Sequence, residues 1–207
     1  MADIPAVNTP VRQGKRTACL ALARNIALSL WLALFLNSLS IAMPTDNLPV
    51  IPGVITPGEL VLENGKTEFE PWDSHDTFSR PPVLVIHIAA RLGLKPQVDT
   101  LRQRIDQEAY LPNELTVVSI VDFDDALWGT RGLANIELQH NKKQTPQIQV
   151  IRDDQGLVRH AWKLPQNTLF VAFVDDDGTL LYRHLGSLDE DDMNALIREI
   201  DQRVGRL

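Results

Sequence analysis

The 207 residues contain one cysteine, Cys19. A single thiol allows no intramolecular disulfide, no Cys-x-x-Cys redox pair and no multi-cysteine metal site. Aromatic residues make up only 6% of the chain, and glycine (11) is too sparse for a collagen-like or low-complexity protein. Positive charge is in deficit, 20 basic against 27 acidic residues and net −7, so a nucleic-acid partner has no electrostatic support. No G-x-S-x-G elbow exists, and Gly129 and Gly132 are too isolated to cradle a phosphate. His75, His140, His160 and His184 lack metal-ligand spacing, and His87 reads as a hydrogen-bonded core histidine. No cofactor or metal is therefore expected. What is present is an ordinary globular composition, 44% hydrophobic, of a length suited to one domain with an appendage.

The appendage is N-terminal. Lys15 and Arg16 precede an apolar stretch that opens at Thr17, is interrupted by Arg24-Asn25 and runs clean from Ile26 to Leu36. Ser40 and Ala42 follow with the small-x-small spacing of a cleavage site. Residues 1–42 are thus expected to be a signal-peptide helix, and the protein to be periplasmic. A bilayer span needs about 20 apolar residues. The alternative is an uncleaved inner-membrane anchor, the one route to membrane contact. Cleavage after Ala42 would leave 16 basic and 26 acidic residues, net −10, and no thiol at all.

Residues 43–57 carry Pro44, Pro49, Pro52 and Pro57 and read as an extended lead-in, with the folded domain expected over 58–207. Asn64-Gly65 between Glu59–Leu62 and Lys66–Phe69 is a strong hairpin signal. Val83–Ala89 and Leu115–Val121 are apolar runs of buried-strand length. Helices are expected over 96–110 and 131–141. Gln147–Ile151 alternates like an edge strand, and 157–163 stays undecided between forms, with Trp162 inside. A second hairpin turns at Asp175–Gly178, and Ser187 with Glu190 fits a capping box opening the last helix. The order β-α-β-α-β-hairpin-α, preceded by a small hairpin, matches an α/β thioredoxin-like three-layer sandwich.

Several short motifs carry a family resemblance. They are Gly58–Leu62, Trp72-x-Ser74, His87–Arg91, Asp124-Asp125-Ala126, Asn141-Lys142-Lys143, Asp153-x-x-Gly156, Ala161–Leu164 and Asp175-x-Asp177-Gly178. In order and spacing, over about residues 57–200, the chain resembles the YtfJ family of periplasmic proteins. The resemblance implies an exported thioredoxin-fold domain without an established activity. Thioredoxin-fold reductases place their cysteine pair between the first core strand and its helix, where this chain has Arg91–Pro96. They also carry a cis-proline before the final hairpin, where this chain has Asn167-Thr168. No sulfur stands at that junction, and cleavage after Ala42 would remove Cys19, so thiol chemistry is not expected.

In open α/β sheets ligands collect at the carboxyl ends of parallel strands. Arg91, Lys95, Asp124 and Asp125 fall there and are the candidate ligand-binding residues. Arg91 and Lys95 could hold an anion near a helix start, or Arg91 could pair structurally with Asp124 or Asp125. Asp122, Asp124 and Asp125 lack the loop spacing of a calcium site, as does Asp175–Asp177. Two functions stay open. One is a non-catalytic module binding a periplasmic protein or small ligand; the other is a non-thiol enzyme using the Arg91, Lys95 and Asp122–Asp125 cluster. A closed pocket joining Arg91 to Asp124 or Asp125 would favour the enzyme, and an exposed rim around Trp128 the binder.

Overall fold

The computed structural model describes residues 48–49, 51–79 and 82–207. Cys19, the expected signal-peptide helix and the first part of the lead-in lie outside the described residues. The elements are β1 (Ile55–Glu63), β2 (Lys66–Trp72), α1 (Ser74–Phe78), β3 (Val83–Ala89) and α2 (Lys95–Glu108). There follow β4 (Thr116–Asp122), α3 (Arg131–Gln144), β5 (Gln149–Asp153) and α4 (Leu157–Trp162). The chain closes with β6 (Leu169–Val174), β7 (Leu180–Leu185) and α5 (Glu190–Val204). Among the described residues no helix is long and apolar enough to cross a membrane.

One sheet holds all seven strands in the order β2-β1-β5-β4-β3-β6-β7. β3, β4 and β5 run parallel, and the outer pairings are antiparallel. This is the thioredoxin-like sandwich, with the small hairpin added to one end of the sheet. Every residue of β3 is buried, as its unbroken apolar run requires of a strand covered on both faces. At the first hairpin Asn64 and Gly65 take φ of 51° and 77°, the left-handed values that a tight turn demands.

Besides the short helix α1, which the sequence reading did not foresee, four details depart from it. β5 is an interior strand, because β1 adds antiparallel to its outer side at Pro57–Glu59; the edge on that side is β2. The undecided segment 157–163 contains α4, whose Trp162 is 1% exposed and packs tilted against Phe170 with ring centroids 5.7 Å apart. The lead-in is partly packed: Ile51 is buried, Trp162 Nε1 donates to the Pro49 carbonyl at 2.8 Å, and β1 already begins at Ile55. The cap of α5 is Asp189 with Asp192, two residues later than expected. A carboxylate accepts the N3 amide and also suits the positive helix end, so it outcompetes the Ser187 hydroxyl.

On one face of the sheet the core is divided. Leu84, Ile86 and Ile88 of β3 pack with Val98, Leu101 and Ile105 of α2 and with Leu196, Ile197 and Ile200 of α5. Leu60 of β1 and Val150 of β5 pack with Leu138 of α3 and Phe123. The opposite face carries His87, Val118, Ile120, Asp122, Ile151 and Asp153, all buried.

Candidate functional site

The carboxyl ends of β3, β4 and β5 carry a compact set of charges. β4 ends on Asp122 and β5 on Asp153, both 0% exposed, and paired in register. A buried carboxylate is tolerable only with partners. Asp122 Oδ2 accepts from Arg159 Nε at 2.7 Å, and its Oδ1 accepts the Asp125 amide at 3.1 Å. Asp153 accepts the amides of Gln155 at 3.2 Å and Val158 at 2.9 Å, so it caps the start of α4 in place of Gly156. Burial pushes the Asp153 carboxyl above the usual range against those amides.

Gly156, at φ 63°, lets the chain turn beneath this group: a Cβ there would lie 2.9 Å from Arg159 Nη2 and 3.2 Å from the Asp124 side chain. Arg159 Nη2 reaches Asp124 Oδ2 at 2.5 Å, completing a fork over two carboxylates. His87 lies beneath, 2% exposed, with neither ring nitrogen meeting a hydrogen-bond partner. Burial pushes it down to about 4, although Asp122 pulls the other way. It is a buried core histidine, but without the hydrogen bond expected of one.

Asp125 forms a second knot. It is 3% exposed, accepts Arg91 Nη2 at 2.6 Å on Oδ1, and takes the Asn167 amide on Oδ2. Asn167 stands at the approach to β6 with φ 53°. A proline there could supply neither that amide nor that φ. Thr56-Pro57 is the one cis peptide among the described residues, far along the chain from this approach.

The four candidate residues are thus distributed over three groupings. Arg91 and Asp125 meet directly, Asp124 goes to Arg159, and Lys95 pairs with Asp99 at 2.7 Å and Glu137 at 3.3 Å. The Asp99 hydrogen bond raises the Lys95 ammonium above its usual value. Arg159 escaped the sequence reading, and Asp153, His87 and Asn167 were not among its candidate site residues. The available signal was an arginine inside the apolar segment Leu157–Trp162, which needs a buried acid. Elsewhere, the Asp175–Asp177 carboxylates approach within 4.8 Å, but Arg203 pairs with Asp175 and Asp176 while Asp177 receives the Thr179 amide.

Beside the charge group the loop after β4 turns outward. Thr130 donates both its amide (3.1 Å) and its hydroxyl (2.8 Å) to the Leu127 carbonyl, and Gly129 takes φ 81°. The result is a tied tip on which Trp128 is fully exposed, at 101%. Leu127 (50%), Leu133 (60%) and Ile136 (66%) are exposed in the same stretch.

The family described as "Bacterial protein of unknown function (YtfJ_HI0045)" matches residues 45–203. The protein called "Uncharacterized protein YtfJ" of Escherichia coli is 31% identical over 146 residues, covering 70% of this chain and 78% of that one. An "Uncharacterized protein" of Haemophilus influenzae is 28% identical over 140 residues, 68% of this chain and 76% of its own. Among solved structures, a "putative Thiol:disulfide interchange protein DsbE" of Chlorobium tepidum superposes with a TM-score of 0.52 at 14% identity. The superposition covers 78% of this chain and all of that one, and shares the fold alone.

Proposed function

Because this chain belongs to the bacterial YtfJ_HI0045 family, in a fold whose usual reaction centre here holds no sulfur, we propose that it is a non-redox binding module that engages a protein partner in the periplasm. The observation that carries this reading is Trp128, wholly exposed on a tied loop tip beside Leu127, Leu133 and Ile136. Exposing a tryptophan on an ordered loop has a hydration cost that binding recovers, and tryptophan is enriched at the energetic centres of interfaces. The alternative, an enzyme built on Arg91 and the Asp122–Asp125 cluster, has less support, because the Arg91 guanidinium is engaged by the Asp125 carbonyl oxygen and carboxylate. The junction Arg91–Pro96 supports the non-redox reading, since it offers no thiol for exchange.

Two experiments test it. A photo-crosslinking amino acid placed at Trp128 in the full chain, expressed in a Gram-negative host, should trap one discrete protein adduct that the same probe at exposed Lys163 does not. Identical adducts at the two positions, or none, would remove the binding reading. Sequencing the N-terminus of the recovered protein should give Met43; a chain still beginning at Met1 would make it a membrane-anchored subunit instead.

A further inference from the structure

β4 is the middle strand of seven, yet Val117, Ser119 and Val121 on one of its faces are only half-buried. Central strands of parallel sheets are normally covered on both faces. The cause is the divided core: α2 and α5 pack over β3 and β6, α3 packs over β1 and β5, and neither group closes over β4. A cleft of about 110 Å³ remains, floored by Ile88, Val121 and Val150 and walled by Val98 of α2 and Leu138 of α3.

Arg102 crosses the cleft from α2. Its Nη2 donates to Thr145 Oγ1 at the end of α3 at 2.6 Å, while its buried Nε meets no acceptor. Among the described residues no carboxylate forms an ion pair with it. The other cations on the rim are engaged, Arg91 by Asp125 and Lys95 by Asp99 and Glu137. Arg102 also borders a second hollow of about 320 Å³ toward the start of β4, where exposed Asp106 and half-buried Thr116 and Gln149 supply polar walls. An apolar slot thus meets a wetter one at a guanidinium with an unfilled fork, a geometry that suits a carboxylate attached to an apolar body.

We propose that this cleft binds a small amphipathic carboxylate, its apolar body lying along β4 between α2 and α3 and its carboxylate on Arg102. The proposal is independent of the Trp128 rim. Isothermal titration of the full chain with sodium octanoate, 1-octanol and sodium acetate tests it. Octanoate is expected to saturate one site, with octanol and acetate at least ten-fold weaker. Arg102→Gln should weaken octanoate at least ten-fold, whereas Arg104→Gln, which removes an equal charge paired to Glu108 on the same helix, leaves it unchanged. Trp128→Ala should also leave it unchanged. Octanol binding as tightly as octanoate, or no loss in Arg102→Gln, would overturn the proposal. So that misfolding of the variant cannot decide the matter, the unaltered chain is read directly: nuclear Overhauser contacts are expected between the octanoate methylenes and the Val121 and Val150 methyls. Binding without those contacts would refute the site.

Discussion

Arg91 holds Asp125 twice, through Nε to its carbonyl oxygen at 2.8 Å and through Nη2 to its carboxylate at 2.6 Å. Since the second carboxylate oxygen takes the Asn167 amide, the loops after β3 and β4 and the approach to β6 are fastened as one unit. Reductases of this fold keep their reactive groups in this region. Here it is occupied by a structural clasp.

Arg91→Ala leaves the Asp125 carboxylate, 2% exposed, without its cation. Arg91 itself is a quarter exposed, so the loss falls at the low end for a broken buried pair, about 2–3 kcal/mol. Urea denaturation measures it. A loss under about 0.5 kcal/mol would mean that the clasp does not hold the loops.

Asn167 separates a conformational requirement from a hydrogen-bond requirement. Asn167→Gly keeps the amide and accepts φ 53°, so its cost is expected within about 1 kcal/mol. Asn167→Pro removes the amide and forbids the φ, and should cost about 3 kcal/mol or more. Equal melting temperatures for the two variants would contradict the assignment.

His87 predicts an acid limb. Its ordinary value is 6.5 and burial pushes it down to about 4, so between those pH values the unfolded chain takes up a proton that the folded one refuses. Its share of stability is therefore complete above pH 6.5 and declines as the pH falls toward 4, by about 3 kcal/mol in all. His87→Leu deletes this share and two unpartnered ring nitrogens. The variant should equal or exceed the parent at pH 5, with a shallower fall from pH 7 to 4. Parallel pH–stability curves for the two would count against the buried neutral histidine.

The cap of α5 gives a local check. Asp189→Ala should cost about 1 kcal/mol, as loss of an N-cap does, whereas Ser187→Ala should change stability by less than about 0.5 kcal/mol. Thermal unfolding of both distinguishes them, and the reverse order would return the cap to Ser187.

Much of the fold was legible because its signals are local. Asn64-Gly65 marks a turn whichever strands it joins, and the unbroken run Val83–Ala89 marks a strand buried on both faces. The register of β5 was less legible: its alternation over Gln147–Ile151 is compatible with an edge until β1 is seen to pair outside it. At the cap of α5, Ser187-x-x-Glu190 and Asp189-x-x-Asp192 are overlapping patterns of one type, and the spacing alone does not select between them.

By itself the sequence determined the seven strands, the three long helices, the two hairpin turns and the absence of a cysteine pair, since each depends on residue type and near spacing. Tertiary structure alone decided which charges meet. Arg159 reaches Asp122 across 37 positions and Asn167 reaches Asp125 across 42, while Arg102 is left facing an apolar slot. The reason is that ion pairing acts over a few ångströms in space, and a one-dimensional pattern carries no distance between segments that the sheet later brings side by side.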